Sequence, residues 1–476
     1  MSERNLTMMT DLYQLTMMYG YFKHGMGKNR AVFDLFYRRA GEEIAHAVAA
    51  GLEQAIDYLQ NVHFGESDIA YLRSLDMFDE AFLAFLKKLR FTGDVDAVPE
   101  GTLVFPGEPI LTVKASLIEA QLVETALLNI INHQTLIATK ASRVVQAARG
   151  DSVLEFGLRR AQGPDAGIYG ARAAIIGGCD ATSNVMTASM LGVPARGTHA
   201  QSWVMSFPNE LDAFRAYANV FPDGCLLLVD TYDTLKSGVP NAITAFHELR
   251  AAGHEPLGIR LDSGDIAYLS RKAREMLDAA GFPKAKICAS GDLDEEVIYD
   301  LKAQGARVDI WGVGTRMITS QNLPALGGVY KLVAEEVDGA MHPRIKISEN
   351  PAKITNPGEK TLYRVYDRET GRALADLIAL ADETYDAADP LLLFDPENTW
   401  KRTLFTSYTL RALLVPIFRG GELVYELPAI GQIRDYARAE LNTLWEEYKR
   451  LHKPHLYKVD LSQKLWDLKQ GMLAGR

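Results

Sequence analysis

LGIRLDSGDIAYLSRKAREMLDAAGFPKAKICASGDLDEEVIYDLKAQGARVDIWGVGT, residues 257–315, decides the fold. Three short apolar runs stand in it: LGIRLD ending at Asp262, KICASGD ending at Asp292 and VDIWGVGT ending at Thr315. Two helical stretches, IAYLSRKAREMLDAAG and DEEVIYDLKAQG, separate them, and each closes on Gly, the residue expected just past a helix end. The pattern extends upstream through VLEFG from Val153, LLLVD ending at Asp230, and the helical stretch NAITAFHELRAAG. Strands that alternate with helices predict a parallel sheet with crossover helices. The fold class is therefore α/β, and the recurrence, about every 20 to 30 residues, suits a (β/α) barrel better than an open sheet. No GxGxxG follows a first strand, so the dinucleotide-binding fingerprint is absent.

Outside this stretch the periods change. Thr10-Asp11 opens a helix with Leu12, Leu15, Met18 and Tyr19 on one stripe. Residues 31–37 (AVFDLFY) read as a strand, and segments near 47–61 and 67–90 as helices. Residues 95–116 alternate and are punctuated by Pro99, Gly101 and Pro106-Gly107, which predicts short strands and turns. A long helix is expected from Ile118 to about Ala148. After Glu335, residues 343–367 read as strands and turns, and the tail from about Ile430 as a charged helix. The expected division is an α+β N-terminal domain over 1–130, a barrel-like catalytic domain over 131–340 and a C-terminal segment over 341–476.

A chain of 476 residues suits two or three domains. Its net charge of -10 leaves no global basic footprint for nucleic acid. The three cysteines, Cys179, Cys225 and Cys288, form no CxxC pair, which argues against a disulfide framework and fits a reducing cytoplasm. No continuous apolar run marks a signal peptide or a membrane helix.

The C-terminal ends of barrel strands form the functional face. Here those ends carry Arg159-Arg160, Asp230, Asp262 with Asp265, Asp292, and Gly314-Thr315. Turn chemistry alone accounts for one such end. Several in succession point to a ligand. Glycine lets backbone approach a ligand, and successive amides in such turns cradle phosphate. Asp262 and Asp292 could hold ribose hydroxyls or a magnesium ion that carries pyrophosphate. A sugar phosphate fits the layout.

With TDLYQ (10–14), FGLRR (156–160), GGCDATSN (177–184), GTHAQSW (197–203), VDTYDT (229–234), IRLDSGD (259–265), ASGDLDE (289–295), WGVGT (311–315) and GGVYKLV (327–333), the chain resembles the nicotinate phosphoribosyltransferases over nearly its whole length. The resemblance implies an irregular (β/α) barrel, an α+β N-terminal domain and a C-terminal part that packs back on it. It implies a homodimer with shared active sites, nicotinate and phosphoribosyl pyrophosphate as substrates, and Mg2+ and ATP as cofactors. Tyr13, reaching across the dimer interface, and Phe156 would sandwich the pyridine. Arg159 and Arg260 would bind the acidic groups, with Thr198 beside the nicotinate. Asp262, Gly291, Asp292, Gly314 and Thr315 would hold the ribose and its 5-phosphate. Lys140, Arg38 and Arg39 are further phosphate candidates. Asp262 is the residue expected to stabilise positive charge on the ribose.

One position departs from the pattern. The family couples transfer to ATP hydrolysis through a phosphorylated histidine, and Gln201 stands where that histidine belongs. A carboxamide has no basic nitrogen to accept a phosphoryl group. His199 lies two residues earlier and, were the segment a strand, would share a face with Gln201. The alternatives are an enzyme for nicotinamide or another pyridine, and a catalytically silent relative that binds nucleotide. The carboxylate-matching arginines favour nicotinate, and the intact sugar-phosphate set argues against the silent relative.

Overall fold

The computed structural model describes residues 4–38 and 44–475. Arg39 lies outside them. The chain divides into two compact units: residues 1–136 together with 325–476, and residues 137–324. The boundary falls inside one long helix, Glu124–Ala148.

The second unit holds a six-stranded sheet whose pairs are all parallel. Its order is Ala181–Thr182, Ser152–Glu155, Ile310–Val313, Lys286–Ser290, Gly258–Leu261, Leu226–Leu228. From Leu226 onward each strand lies beside its predecessor, and the last returns to the first. The order runs in one direction from the Leu226 strand to the Ser152 strand, without the reversal of a doubly wound sheet. Residues 194–199 run between the two outermost strands. On one side Arg196 N donates to Thr182 O at 3.0 Å. On the other, Thr198 Oγ1 donates to Leu226 O at 2.5 Å, and Leu228 N donates to His199 Nε2 at 3.1 Å. On the Leu226 side these contacts run through side chains, where a paired strand would use its backbone.

The crossover helices sit where the sequence places them: Val239–Ala251, Ile266–Ala279 and Glu295–Ala303. Gly253, Gly281 and Gly305 follow them at φ 92°, 82° and 78°, the left-handed geometry that ends a helix cheaply only at glycine. Asp265 and Asp294 cap the second and third of these helices through backbone amides of Tyr268 and Val297.

The first unit is built on a seven-stranded sheet: Ala340–Pro343, Gly328–Val337, Arg30–Tyr37, Leu111–Ser116, Asp94–Ala97, Val415–Arg419, Glu422–Leu423. N-terminal and C-terminal strands therefore share one sheet. A four-stranded sheet follows, with Lys360–Asp367 and Ala373–Leu380 at its centre. Two helical segments are more broken than their apolar periodicity suggests. Residues 67–90 form Glu66–Ser74 and Glu80–Lys88, parted by Asp76 at φ 55° and by Asp79, whose side chain caps the second helix. Residues 118–148 form Leu117–Leu122 and Glu124–Ala148, the first opened by a Ser116–Glu119 capping box. Local capping groups beat the longer apolar period. No described helix is long and apolar enough to cross a membrane.

Candidate active site

The site is assembled in the second unit from strand ends. Arg260, in the Gly258–Leu261 strand, donates from Nε to Ser290 Oγ at 2.8 Å and from Nη2 to Asp262 Oδ1 at 2.9 Å. Ser290 Oγ donates in turn to Asp262. Burial pushes the Asp262 carboxyl up, but the hydrogen bond from Ser290 and the charge of Arg260 outweigh it and hold the group below its ordinary range. Asp262 is thus a carboxylate gripped by side-chain donors from two adjacent strands, Arg260 and Ser290. The next strand end adds Asp230, whose Oδ2 accepts from Asp262 N at 3.2 Å and from Ser263 Oγ at 2.6 Å. Asp230 Oδ1 and Thr231 Oγ1 are buried with no hydrogen-bond partner among the described residues.

Arg260 also lines a cavity of about 310 Å³, walled by Leu154, Phe156, Thr198, Leu226 and Cys288 among others. The interior of a parallel barrel is usually filled by side chains. An open volume of this size, mostly apolar with the arginines Arg196 and Arg260 and the hydroxyls of Ser152 and Thr198 in its lining, suits a flat ring that bears an acid. The Arg260 guanidinium lies 5.5 Å from the centre of the Phe156 ring. That ring packs on Gly312, where a Cβ would collide with it, so the glycine of WGVGT makes room for the aromatic wall.

Gly291 and Asp292 turn the chain out of the Lys286–Ser290 strand at φ 94° and 46°. A Cβ at Gly291 would run into the Asp262 carbonyl oxygen, which demands glycine there. Gly314 leads into the short helix Thr315–Ile318 and abuts the Phe156 carbonyl. Arg159 stands exposed in the single turn Leu158–Arg160. Lys140 is buried, its ammonium 2.6 Å from Glu295, which also takes Arg143 Nε at 2.9 Å. In the other unit, Tyr13 is 48% exposed in the first turn of helix Leu12–Lys23. Its hydroxyl donates to Glu124 at 3.2 Å, and burial with that carboxylate pushes its pKa up to about 12. Arg38 follows the Arg30–Tyr37 strand, with its Nε buried and without a hydrogen-bond partner among the described residues.

The segment 197–203 is not a strand. Residues Gln201–Met205 form a short helix capped at Ala200, so Gln201 and His199 do not share a strand face. His199 is buried. Its Nε2 accepts from Leu228 N, its Nδ1 lies 3.3 Å from Ala200 O, and Tyr217 packs edge-on at 4.8 Å. Burial lowers its pKa, and the charge of Arg260 adds to that, so the ring is neutral with its proton on Nδ1. Both ring nitrogens face backbone groups.

Two contributors escape a reading of the sequence. Ser290 links Arg260 to Asp262, and only its place in ASGD hints at it. Arg196 also lines the cavity, one residue before GTHAQSW. No group of three or more metal-ligating side chains occurs among the described residues.

Residues 8–132 match the family model described as the nicotinate phosphoribosyltransferase N-terminal domain, and residues 359–469 match the corresponding C-terminal domain. A nicotinate phosphoribosyltransferase of Bacillus subtilis is 50% identical over 98% of this chain and 94% of its own length. One of Caenorhabditis elegans is 35% identical over 96% of this chain and 92% of its own. The crystal structure of human nicotinic acid phosphoribosyltransferase superposes with a TM-score of 0.87 at 32% identity, covering 97% of this chain and 99% of that one.

Proposed function

Since the chain belongs to the nicotinate phosphoribosyltransferase family, we propose that it transfers the 5-phosphoribosyl group of phosphoribosyl pyrophosphate to nicotinate, giving nicotinate mononucleotide and pyrophosphate for NAD biosynthesis. The observation that carries this reading is the cavity lined by Arg260, Thr198 and the Phe156 ring, whose Arg260 also grips the carboxylate of Asp262. A guanidinium matches a ring carboxylate, and an aromatic wall matches the ring.

The pyridine nitrogen attacks the ribose C1 while the bond from C1 to the pyrophosphate oxygen breaks. No proton needs to move. Positive charge builds on the ribose, and Asp262, anionic and aimed by Arg260 and Ser290, stabilises it. Gly291, Asp292, Gly314 and Thr315 hold the ribose and its 5-phosphate. Arg159 meets the charged groups from the exposed turn. Tyr13 of the partner subunit closes the second face of the pyridine, so the working form is a homodimer. The exposure of the Tyr13 ring, tethered only through its hydroxyl, supports this. Magnesium would neutralise the leaving pyrophosphate. The buried, unpartnered Asp230 Oδ1 and Thr231 Oγ1 fit a hydrated cation of that kind. The buried, unpaired cysteines suit work in the cytoplasm.

ATP binds as in the family, but its hydrolysis is not obligatory for transfer. Gln201 offers no nucleophilic nitrogen, and both nitrogens of His199 are engaged by backbone. The test is an assay with phosphoribosyl pyrophosphate and nicotinate, with and without ATP, scored as ADP released per nicotinate mononucleotide formed. Product without ATP, and little product from nicotinamide, is expected. Preference for nicotinamide would overturn the substrate assignment. Strict one-to-one ADP formation, lost in His199→Ala, would overturn the uncoupled reading.

A further inference from the structure

The cavity beside Arg260 is mostly apolar, so an acid that enters it needs a cation and donors that are not already committed. Most donors in its lining are spent. Ser152 Oγ donates its proton to Asp180 Oδ2 at 2.7 Å. Thr198 Oγ1 donates its own to the Leu226 carbonyl at 2.5 Å, so this hydroxyl can only accept from a ligand. Arg260 gives Nε to Ser290 and Nη2 to Asp262, whose carboxylate balances its charge. Arg196 is the other cation of the lining. Its side chain is exposed and makes no hydrogen bond or ion pair among the described residues. Its backbone is held, since Ala195 bridges Thr182 in parallel and Arg196 N donates to Thr182 O at 3.0 Å. Alternate residues of an extended segment share a face, which puts Arg196 and Thr198 together on the cavity side. Asp180 also lines the cavity, but it precedes the Ala181–Thr182 strand, whereas Arg196 is bonded at the last residue of that strand. No ion pair joins the two among the described residues.

We infer that Arg196 is the specificity-determining residue of this cavity: its guanidinium takes the carboxylate of an aromatic monoacid and gives no such advantage to the neutral amide. This rests on the reading of the cavity as the nicotinate site and deepens it. Arg260 stays with Asp262 and Ser290 and meets the ring with what remains of its fork. The two arginines then have different tasks. Arg260 aims the strand-end carboxylate, and Arg196 supplies the uncompensated charge that an acid must find in an apolar surround. A guanidinium presents its N–H groups in one plane and can meet a carboxylate with two parallel bonds. Away from bulk water that contact is stronger.

Arg196→Met removes the charge, and the exposed side chain can be replaced without opening the core. In the transfer assay the KM for nicotinate should rise by about tenfold or more, with kcat within about twofold. The kcat/KM for nicotinamide should stay within about twofold, so the preference for the acid falls by nearly the whole factor. Arg196→Lys, which keeps the charge without the fork, should recover part of the loss. A second measurement does not depend on turnover: calorimetric titration of the native chain and of Arg196→Met with nicotinate and with nicotinamide. The native chain should bind the acid more tightly than the amide, and the variant should lose about tenfold or more for the acid alone. An unchanged KM and Kd for nicotinate, or equal losses for acid and amide, would overturn the inference. So would an Arg196→Lys enzyme as poor as Arg196→Met. If the native chain makes no nicotinate mononucleotide, the proposed function fails, and the titrations alone decide whether Arg196 selects acids. A native chain that neither forms product nor binds nicotinate overturns both.

Discussion

Two arginine–carboxylate assemblies occupy the two units, and they differ in what surrounds them. In the first unit Arg364 is fully buried. It meets Asp376 in a two-pronged contact at 2.8 and 2.6 Å, Glu440 at 3.0 Å and the Leu103 carbonyl at 2.8 Å, with the Phe105 and Tyr457 rings on its faces. Glu108 completes the cluster. Burial and the neighbouring Asp376 raise its pKa well above the ordinary carboxylate range, against the opposing charge of Arg364. In the second unit Arg260 and Asp262 make a single contact at the rim of a cavity, their side chains 13% and 27% exposed. The chemistry of the pairs is the same. In the first, protein groups surround the guanidinium. In the second, one side faces open volume. A saturated ion cluster locks a fold; an ion pair left open on one side can meet a ligand.

The largest effect should come from breaking the saturated cluster. Arg364→Ala leaves Asp376 in the interior without its cation, while Glu440 keeps Arg411, and loss of one partner of a buried pair costs about 3–5 kcal/mol. Chemical denaturation should register it as lost stability, and a variant as stable as the native chain would erase the contrast. Arg260→Ala attacks the open pair. Stability should change far less, while kcat/KM for nicotinate should fall by the equivalent of about 2–5 kcal/mol, the usual loss when a desolvated charged contact is cut. Near-native activity would remove Arg260 from the substrate.

Tyr13→Ala should be milder and confined to binding. Stacking of an aromatic on a heterocycle is worth roughly 1–3 kcal/mol. A raised KM with kcat retained in a folded protein is the expected result, and no change in either constant would exclude the ring from the site.

The smallest effect is a pH dependence. His199 has a lowered pKa in the fold because of burial, whereas the unfolded chain titrates near 6.5. As pH falls through about 6.5 the unfolded state takes up a proton that the folded state refuses, so stability falls. The loss levels off below the folded pKa. The slope from this one group cannot exceed about 1.4 kcal/mol per pH unit. Unfolding free energies from pH 7.5 to 5 should therefore fall less steeply in His199→Asn than in the native chain. Parallel slopes would mean that the ring is not held neutral.

The sequence by itself determined the strand–helix alternation from Val153 to Thr315, because apolar runs bounded by Gly and Asp encode local structure within a few residues of themselves. It also determined which residues stand at strand ends, and so placed Asp262, Asp292 and Thr315 just past the C-terminal ends of neighbouring parallel strands. The departure at Gln201 was legible too, since a missing imidazole needs no coordinates. The tertiary structure decided the rest. The pinning of Thr198 and His199 to the Leu226–Leu228 strand depends on groups about 28 residues apart in the chain. The Arg260–Ser290–Asp262 grip joins two strands through side chains that no local period registers. The burial of Lys140 against Glu295 crosses 155 positions of sequence. Local patterns fix which groups point inward; only the closed packing of distant strands fixes which of those groups meet, and which are left open to a ligand.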